Sequence, residues 1–436
     1  MDVTSSRRRF ASHLRPDLLR VVEKAIQGFG VKPLGVHQPH EFVALRFSDL
    51  LIREGQSVMA LSPLQYEDID VGEAEPFPCL NNGLWLFQVE GTNLAIFLSQ
   101  FFDYRDGGVT QIEVVHRPGE TSGAFARAFL DRVERAASAS GTYRGKVLSF
   151  EQDPGHAGMA GTMRVHRLPA VRKDEVVLSE ATMARLETHV FEFDRLRDGL
   201  RRLGQSTRKG ILLYGPPGTG KTHVIRYVAA NLPDRTTILV TAEQMQAVRH
   251  YLALARSLQP SIVVFEDVDL IGRNRDEIGS QRAEGLLNRL LNEMDGLGPD
   301  ADMLFLLTTN RPDDIEEALA QRPGRVDEAI EVPLPDADCR KRLIVLYGHA
   351  LSFEDRALAD AVARSEGGSA AFMKEIVRRL AQRALARGGE RVSVDDVAAV
   401  VGDSDLPSNP LNRRIVGISA SRGRSRRADE TDSCCG

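Results

Sequence analysis

The sequence predicts an α/β protein: a parallel sheet with helices on both faces, an α+β domain ahead of it and a small all-α lid behind it. Three observations carry this. Gly215–Thr222 reads GPPGTGKT, between the apolar run Ile211–Tyr214 and the helix-like segment His223–Asn231. Strand, glycine-rich loop, helix is the context of the phosphate-binding pattern G-x-x-x-x-G-K-[ST]. The apolar runs Gly210–Tyr214, Thr237–Val240, Ile262–Phe265, Leu304–Thr308 and Ala329–Val332 alternate with helical segments. Such alternation is the mark of a parallel sheet covered on both faces. Beyond the last run, Asp336–Val401 is helical in spacing throughout.

In chain order, Met1–Arg9 is polar and is expected to fray. Leu14, Leu18, Leu19, Val22 and Ile26 have helical spacing within His13–Gly28. Strand-like runs follow at Phe42–Phe47, Leu84–Val89, Leu94–Leu98 and Gln111–Arg117, separated by turn signals such as Asn81-Asn82-Gly83. Phe125–Ala137 reads as a helix, Tyr143–Phe150 as a strand and Gln152–Gly161 as a loop. These make an α+β N-terminal domain over residues 1–170, with Trp85 in its core. It carries no catalytic constellation: His40-Glu41 lacks the second histidine of a zinc-protease helix. A helical connector over 171–204 includes Leu178–Leu203, with Ser179 placed to cap its start and Gly204 to stop it. The α/β core spans 205–335 and the lid 336–402, with helices expected at Arg340–His349, Asp355–Ser365, Ala371–Arg387 and Val394–Val401. From residue 403 the chain is Ser-, Arg- and Pro-rich and is expected to be disordered. Its arginines, Arg413 to Arg427, are read as a solvated tail, with contact to anionic partners as the competing reading.

Composition narrows the class. The 436 residues are 42% hydrophobic and 27% charged, with a net charge of −5, so nothing global points to nucleic acid. No apolar run reaches the length of a membrane span; Gln88, Glu90, Asn93 and Gln100 interrupt the most apolar stretch. Arg7–Arg9 lead into no apolar core, so no secretory signal is read. The four cysteines, Cys79, Cys339, Cys434 and Cys435, form no C-x-x-C pair, and a cytoplasmic setting is expected.

The chemistry gathers around the glycine loop. Gly215, Gly218 and Gly220 let the loop Gly215-Pro216-Pro217-Gly218-Thr219-Gly220 turn tightly, so that the N–H groups of its non-proline residues face inward as a polyphosphate nest at a helix N-terminus. Lys221 is placed to reach β- and γ-phosphates, and Thr222 to offer a hydroxyl to Mg²⁺. The third run ends in Glu266-Asp267-Val268-Asp269, where carboxylates can hold Mg²⁺ and orient water. The fourth ends in Thr308-Thr309-Asn310, which sets Asn310 beside that water. Arg322 and Arg325 flank a Pro-Gly turn. Alone they read as a solvated loop; after this loop and acidic strand they read as arginines offered to a neighbouring subunit's γ-phosphate.

From about Leu200 to Val401 the chain resembles the AAA family within the AAA+ P-loop ATPases. Thr308–Asp327 is similar to that family's second region of homology, and Asn288–Gly296 to the segment ahead of its fourth strand. Arg342–His349 resembles the R-x-x-I-L-x-x-H lid helix, whose histidine contacts nucleotide. Gly368–Ala371 resembles the G-x-S-G-A turn, where a small residue, here Ala370, approaches it. The resemblance implies ATP and Mg²⁺ as ligands and a ring, usually a homo-hexamer, with ATP at subunit interfaces. It also implies hydrolysis that remodels a protein partner, here selected by the N-terminal domain. By that likeness Glu266 and Thr222 serve the metal, Asp267 activates water, and Asn310, Arg322 and Arg325 complete catalysis. Two departures stand out. The family usually ends its acidic strand in Asp-Glu; Glu266-Asp267 is the reverse and implies slower or altered hydrolysis. Thr241–Pro260 lacks the aromatic-hydrophobic-glycine triplet with which unfoldases grip a threaded chain, and Tyr251 reads as a packing residue. No protease domain is read after the lid. Two competing functions remain: an ATP-gated scaffold with little hydrolysis, and a nucleic-acid-associated motor using the Arg-rich tail.

Overall fold

The computed structural model describes residues 3–38, 40, 42–51, 61–103, 107–139, 141–151, 163–271, 289–298, 300–313 and 326–402. Among these, two sheets organise the molecule. The strands of the first region are β1 (Thr4–Ala11), β2 (Leu34–Val36), β3 (Leu61–Ser62), β4 (Tyr66–Ile69), β5 (Phe77–Leu80), β6 (Gly83–Val89), β7 (Thr92–Asp103) and β8 (Gly107–His116). Six of them form an antiparallel sheet in the order β1-β8-β7-β6-β2-β3. Alternation along β7 and β8 sends Leu94, Ile96, Leu98, Ile112 and Val114 to one face, where helices Arg15–Ile26 and Glu120–Ala139 cover them together with Trp85.

Two expectations are corrected here. Residues 4–11 are not frayed: Thr4–Ala11 is an edge strand paired along its length with β8. Its Ser-Arg-rich sequence carries no alternating apolar signal, so tertiary pairing and the Arg8 contacts to Asp131 and Glu134 hold it. Phe42–Phe47 is not a strand. Its described residues cross the second face of the sheet as an irregular segment, with Leu45 buried beside Phe97 and Val115. Side chains replace the missing ladder: Ser99 and Gln111 donate to the Leu45 carbonyl, and Phe47 N–H donates to Glu113.

The second sheet is built from β9 (Val147–Phe150), β10 (Met163–His166), β11 (Lys209–Tyr214), β12 (Thr236–Val240), β13 (Ser261–Phe265), β14 (Met303–Thr309) and β15 (Glu328–Glu331), in the order β10-β9-β12-β13-β14-β11-β15. All its pairings are parallel except β9 with β10. The strand expected at Tyr143–Phe150 is shorter, Val147–Phe150, and it joins β12, at Thr237↔Val147 and Ile238↔Leu148, rather than the N-terminal sheet, so β9 and β10 carry the end of the 1–170 region into the second sheet. β13 and β14 are buried residue after residue, and separate apolar clusters cover the two faces.

The connector's helical run is capped by Ser179, whose hydroxyl accepts Thr182 N–H at 3.2 Å, and continues as successive helical pieces with a π-helical stretch at Glu187–Glu192. Gly204 ends it with φ +70°. Helices Ala337–Tyr347, Asp355–Arg364, Ala370–Ala386 and Val394–Gly402 make the lid. The lid is not purely helical: β16 (Ser352–Phe353) and β17 (Arg391–Val392) form a short parallel pair, too brief for a periodic signal.

A buried charge network ties connector to sheet. Arg235, 1% exposed, donates to Asp302 Oδ1 at 2.9 Å, to the Ser261 carbonyl at 3.2 Å and to Asp194. Arg201 also reaches Asp302, at 2.8 Å. Removing the buried member of such a network costs up to about 3–5 kcal/mol, since the half-exposed Arg201 alone keeps a short bond to Asp302. Arg235→Met is therefore expected to lower unfolding free energy by about that amount in urea titrations. A loss under about 1 kcal/mol would show that the carboxylates regain water without it.

Candidate functional site

β11, β13 and β14 end side by side. Tyr214 lies opposite Thr309, and Phe265 opposite Leu307, so the segments after the three strands share one end of the sheet. In open parallel sheets ligands bind beyond the carboxyl ends of the strands.

The loop after β11 is confined on two sides. Gly215 has φ +148°, and a Cβ there would lie 2.2 Å from the Val332 carbonyl oxygen. Gly218 has φ +76°, and a Cβ there would meet Ser369 Oγ at 2.9 Å and Ala371 Cβ at 3.1 Å. Only glycine satisfies both conformation and space at these two positions. The Gly218 carbonyl accepts Ala371 N–H at 3.0 Å, so the lid touches the loop directly. Thr219 Oγ1 donates to the Pro216 carbonyl at 2.9 Å, and Gly220 opens helix Lys221–Asn231. Pro217 and Thr222 are exposed. Lys221 is 6% exposed and donates from Nζ to the carbonyls of Gly215 and Pro216, at 2.8 and 3.0 Å. Burial lowers its pKa, and the charges of Asp267 and Asp269 partly oppose that.

After β13, Glu266 is half-buried. Burial raises its pKa first, the Asp267 charge adds to the rise, and Arg226 opposes it. Asp267 sits at φ +50°, a conformation uncommon outside glycine and found at functional sites. Its N–H donates to Thr308 Oγ1 at 2.9 Å, which fixes that turn. Its Oδ1 accepts Asn310 Nδ2 at 3.0 Å. Asp269 Oδ1 accepts both Thr309 Oγ1 and Asn310 N–H, at 3.0 and 3.1 Å.

Beside the loop is a cavity of about 120 Å³, enclosed by Val177, Leu178, Ser179, Thr219, Pro333, Leu334, Pro335, Asp336, Cys339, Leu343 and Ala370. Connector, loop and lid thus close one space, and Ala370 faces it. His349 is not among its lining residues; its Nδ1 lies 3.3 Å from the Leu346 carbonyl on the lid surface. Arg322 and Arg325 lie outside the described residues, as does Asn288. Sequence reasoning missed the lining pair Val177–Leu178, Thr308 as an anchor, and Asp269. Only Asp269 left a signal, as the third acid of Glu266-Asp267-Val268-Asp269.

Residues 211–334 match the family described as "ATPase family associated with various cellular activities (AAA)". The proteasome-activating nucleotidase of Saccharolobus solfataricus is 30% identical over 278 residues, which cover 61% of this chain and 70% of that protein. The chain belongs to the AAA family of ATPases. This AAA chain is similar also to the proteasome-activating nucleotidase of Methanopyrus kandleri, 35% identical over 229 residues covering 49% of this chain and 52% of that one. Against the ATP-dependent zinc metalloprotease FtsH 2 of Symbiobacterium thermophilum it is 32% identical over 246 residues, covering 53% of this chain and 40% of the other. The AAA chain is thus an ATP-hydrolysing enzyme of a family that binds ATP, generally with Mg²⁺. No helix among the described residues is long and apolar enough to cross a membrane.

Proposed function

We propose that this ATPase works as a ring, a homo-hexamer by family likeness, hydrolysing ATP between subunits to remodel a protein held by its N-terminal region ahead of β9. The observation that carries the hydrolytic half is the Asp267–Asn310 hydrogen bond of 3.0 Å across the ends of β13 and β14, next to the phosphate loop on β11. A carboxylate oriented by an amide can hold a water and take its proton. Phosphates fit the nest of Gly215–Gly220, with Lys221 swinging from the Gly215 and Pro216 carbonyls to meet them. The nucleobase fits the cavity under Ala370; His349, on the lid surface, would meet nucleotide only with the lid moved. Mg²⁺ takes hard oxygen donors, and the exposed Thr222 hydroxyl with the Glu266 carboxylate supplies them. When bound, the ion neutralises charge developing on the phosphates. Asp267 is the base, Asn310 positions the water, and Arg322 and Arg325 complete the neighbour's site. Cys79 and Cys339 are buried free thiols, in keeping with a cytoplasmic setting.

The segment in the place of a grip loop favours remodelling without processive threading. Ala242–Ala247 is a 3₁₀ turn whose entry is closed by Gln244 on Thr241 N–H, and Gln244 Nε2 donates to the Phe150 carbonyl at 2.7 Å. Met245 is buried, and Tyr251 packs edge-on against Phe150. This turn is spent on the β9 edge of the sheet.

The test is steady-state ATPase rate per subunit against protein concentration, with Arg322→Ala alongside. The rate is expected to rise with concentration, and the variant to keep ATP while losing about a thousandfold in turnover. A concentration-independent rate with full turnover in the variant would refute the ring reading. Tight ATP binding with negligible turnover at every concentration would favour the scaffold, and nucleic-acid binding that weakens steeply with salt would favour the tail-based motor.

A further inference from the structure

We propose that Asp269 is a positioning residue for ATP hydrolysis that acts through Asn310, an inference resting on the reading of Asp267 and Asn310 as the hydrolytic pair. Asp269 stands on the one-turn helix Val268–Ile271 behind the acidic strand end, and is 4% exposed. One carboxylate oxygen takes two donors from the neighbouring strand, the Thr309 hydroxyl at 3.0 Å and the Asn310 N–H at 3.1 Å. Thr309 Oγ1 in turn accepts Arg311 N–H at 2.9 Å. The backbone on both sides of Asn310 is therefore tied to one buried oxygen, while its side chain reaches Asp267 Oδ1 at 3.0 Å.

Burying a carboxylate is costly unless its bonds are made, and an apolar side chain would fill this site at lower cost. The directional acceptor is what an apolar residue could not supply: it fixes where β14 stops and which way the Asn310 amide points. A displacement of about 1 Å in a catalytic group can cost roughly a hundredfold in rate. Asp269 makes its bonds to Thr309 and Asn310, not to the loop, so its loss should reach turnover before it reaches nucleotide affinity.

The experiment measures kcat, KM for ATP and equilibrium binding of a fluorescent ATP analogue in full-length Asp269→Ala, Asp269→Asn, Asn310→Ala and the double variant Asp269→Ala/Asn310→Ala. Asp269→Ala is expected to lose about ten- to a hundredfold in kcat, with binding within about threefold of the parent. Asp269→Asn keeps an oxygen that can accept both donors and is expected to recover to within about fivefold. In the Asn310→Ala background the added Asp269→Ala change is expected to cost less than about threefold, because the group it aims is gone. Thr309→Val, which removes one of the two bonds and should fold if Asp269→Ala does not, is expected to lose a smaller part of kcat. Full turnover in Asp269→Ala, or a loss that multiplies in full with that of Asn310→Ala, would overturn the proposal while leaving the hydrolytic pair standing. Full turnover in Asn310→Ala would instead remove the pair itself, and the proposal with it.

Discussion

Asp267→Asn is expected to bind ATP as the parent does and to hydrolyse it about 10²- to 10⁴-fold more slowly, the range that a positioned general base contributes. The substitution is nearly isosteric. Its amide oxygen can still accept Asn310 Nδ2, and its N–H can still donate to Thr308 Oγ1. Asn also tolerates the left-handed backbone at least as well as Asp, so the φ of +50° should survive. What is lost is the basic oxygen alone. Because Asp is one methylene shorter than the Glu usual at this place in the family, reach must come from the backbone, and the Thr308 bond holding the turn supplies a fixed origin for it. Glu266 is the competitor for the role. Its pKa is raised by burial and by the Asp267 charge, yet neither Asn310 nor any strand-end hydroxyl is bonded to it among the described contacts. Single-turnover rates for Asp267→Asn and Glu266→Gln decide between them. Parent-like turnover in Asp267→Asn would transfer the base to Glu266 or leave the water unactivated by either.

What the sequence discloses follows from where each signal originates. β13 is legible because Ile262-Val263-Val264-Phe265 is buried on both faces and must be apolar at every position. The glycine loop is legible because Gly215 and Gly218 answer to steric limits that other residues cannot meet. β1 is illegible: Thr4–Ala11 earns its strand from β8 and from Arg8 against Asp131 and Glu134, which lie more than a hundred residues away. Phe42–Phe47 misleads for the converse reason. Leu45 and Phe47 are needed to cover the sheet, while Ser99, Gln111 and Glu113 satisfy backbone that a strand would have paired. β9 is legible as a strand and silent about which sheet it joins, since pattern encodes burial and not partner. At the site, motif spacing reaches Lys221, Asp267 and Asn310; the Thr308 and Asp269 contacts that orient them depend on the parallel register of β13 with β14.

Lys221→Ala is expected to weaken ATP binding by at least about a hundredfold, and with it to remove turnover. Hydrogen bonds to charged groups contribute about 1.5–3 kcal/mol each, and 1.4 kcal/mol is tenfold in affinity. One ammonium shared between two phosphates therefore supplies two or more decades. The free protein shows what that ammonium does before nucleotide arrives. It is 6% exposed and bridges the Gly215 and Pro216 carbonyls, so it braces the loop from within. Burial pushes its pKa down, and the approach of anionic phosphates would push it back up, so binding and charge reinforce each other. Two effects of the substitution must then be separated: loss of the phosphate contact, and collapse of an unbraced loop. Titration with fluorescent ATP reports the first. Thermal unfolding without nucleotide reports the second. Unchanged ATP affinity in Lys221→Ala would sink the assignment of Gly215–Thr222 as the phosphate site. Lost affinity with a folded, parent-like melting curve would fix it there, on a lysine that serves the loop when ATP is absent and the phosphates when it is bound.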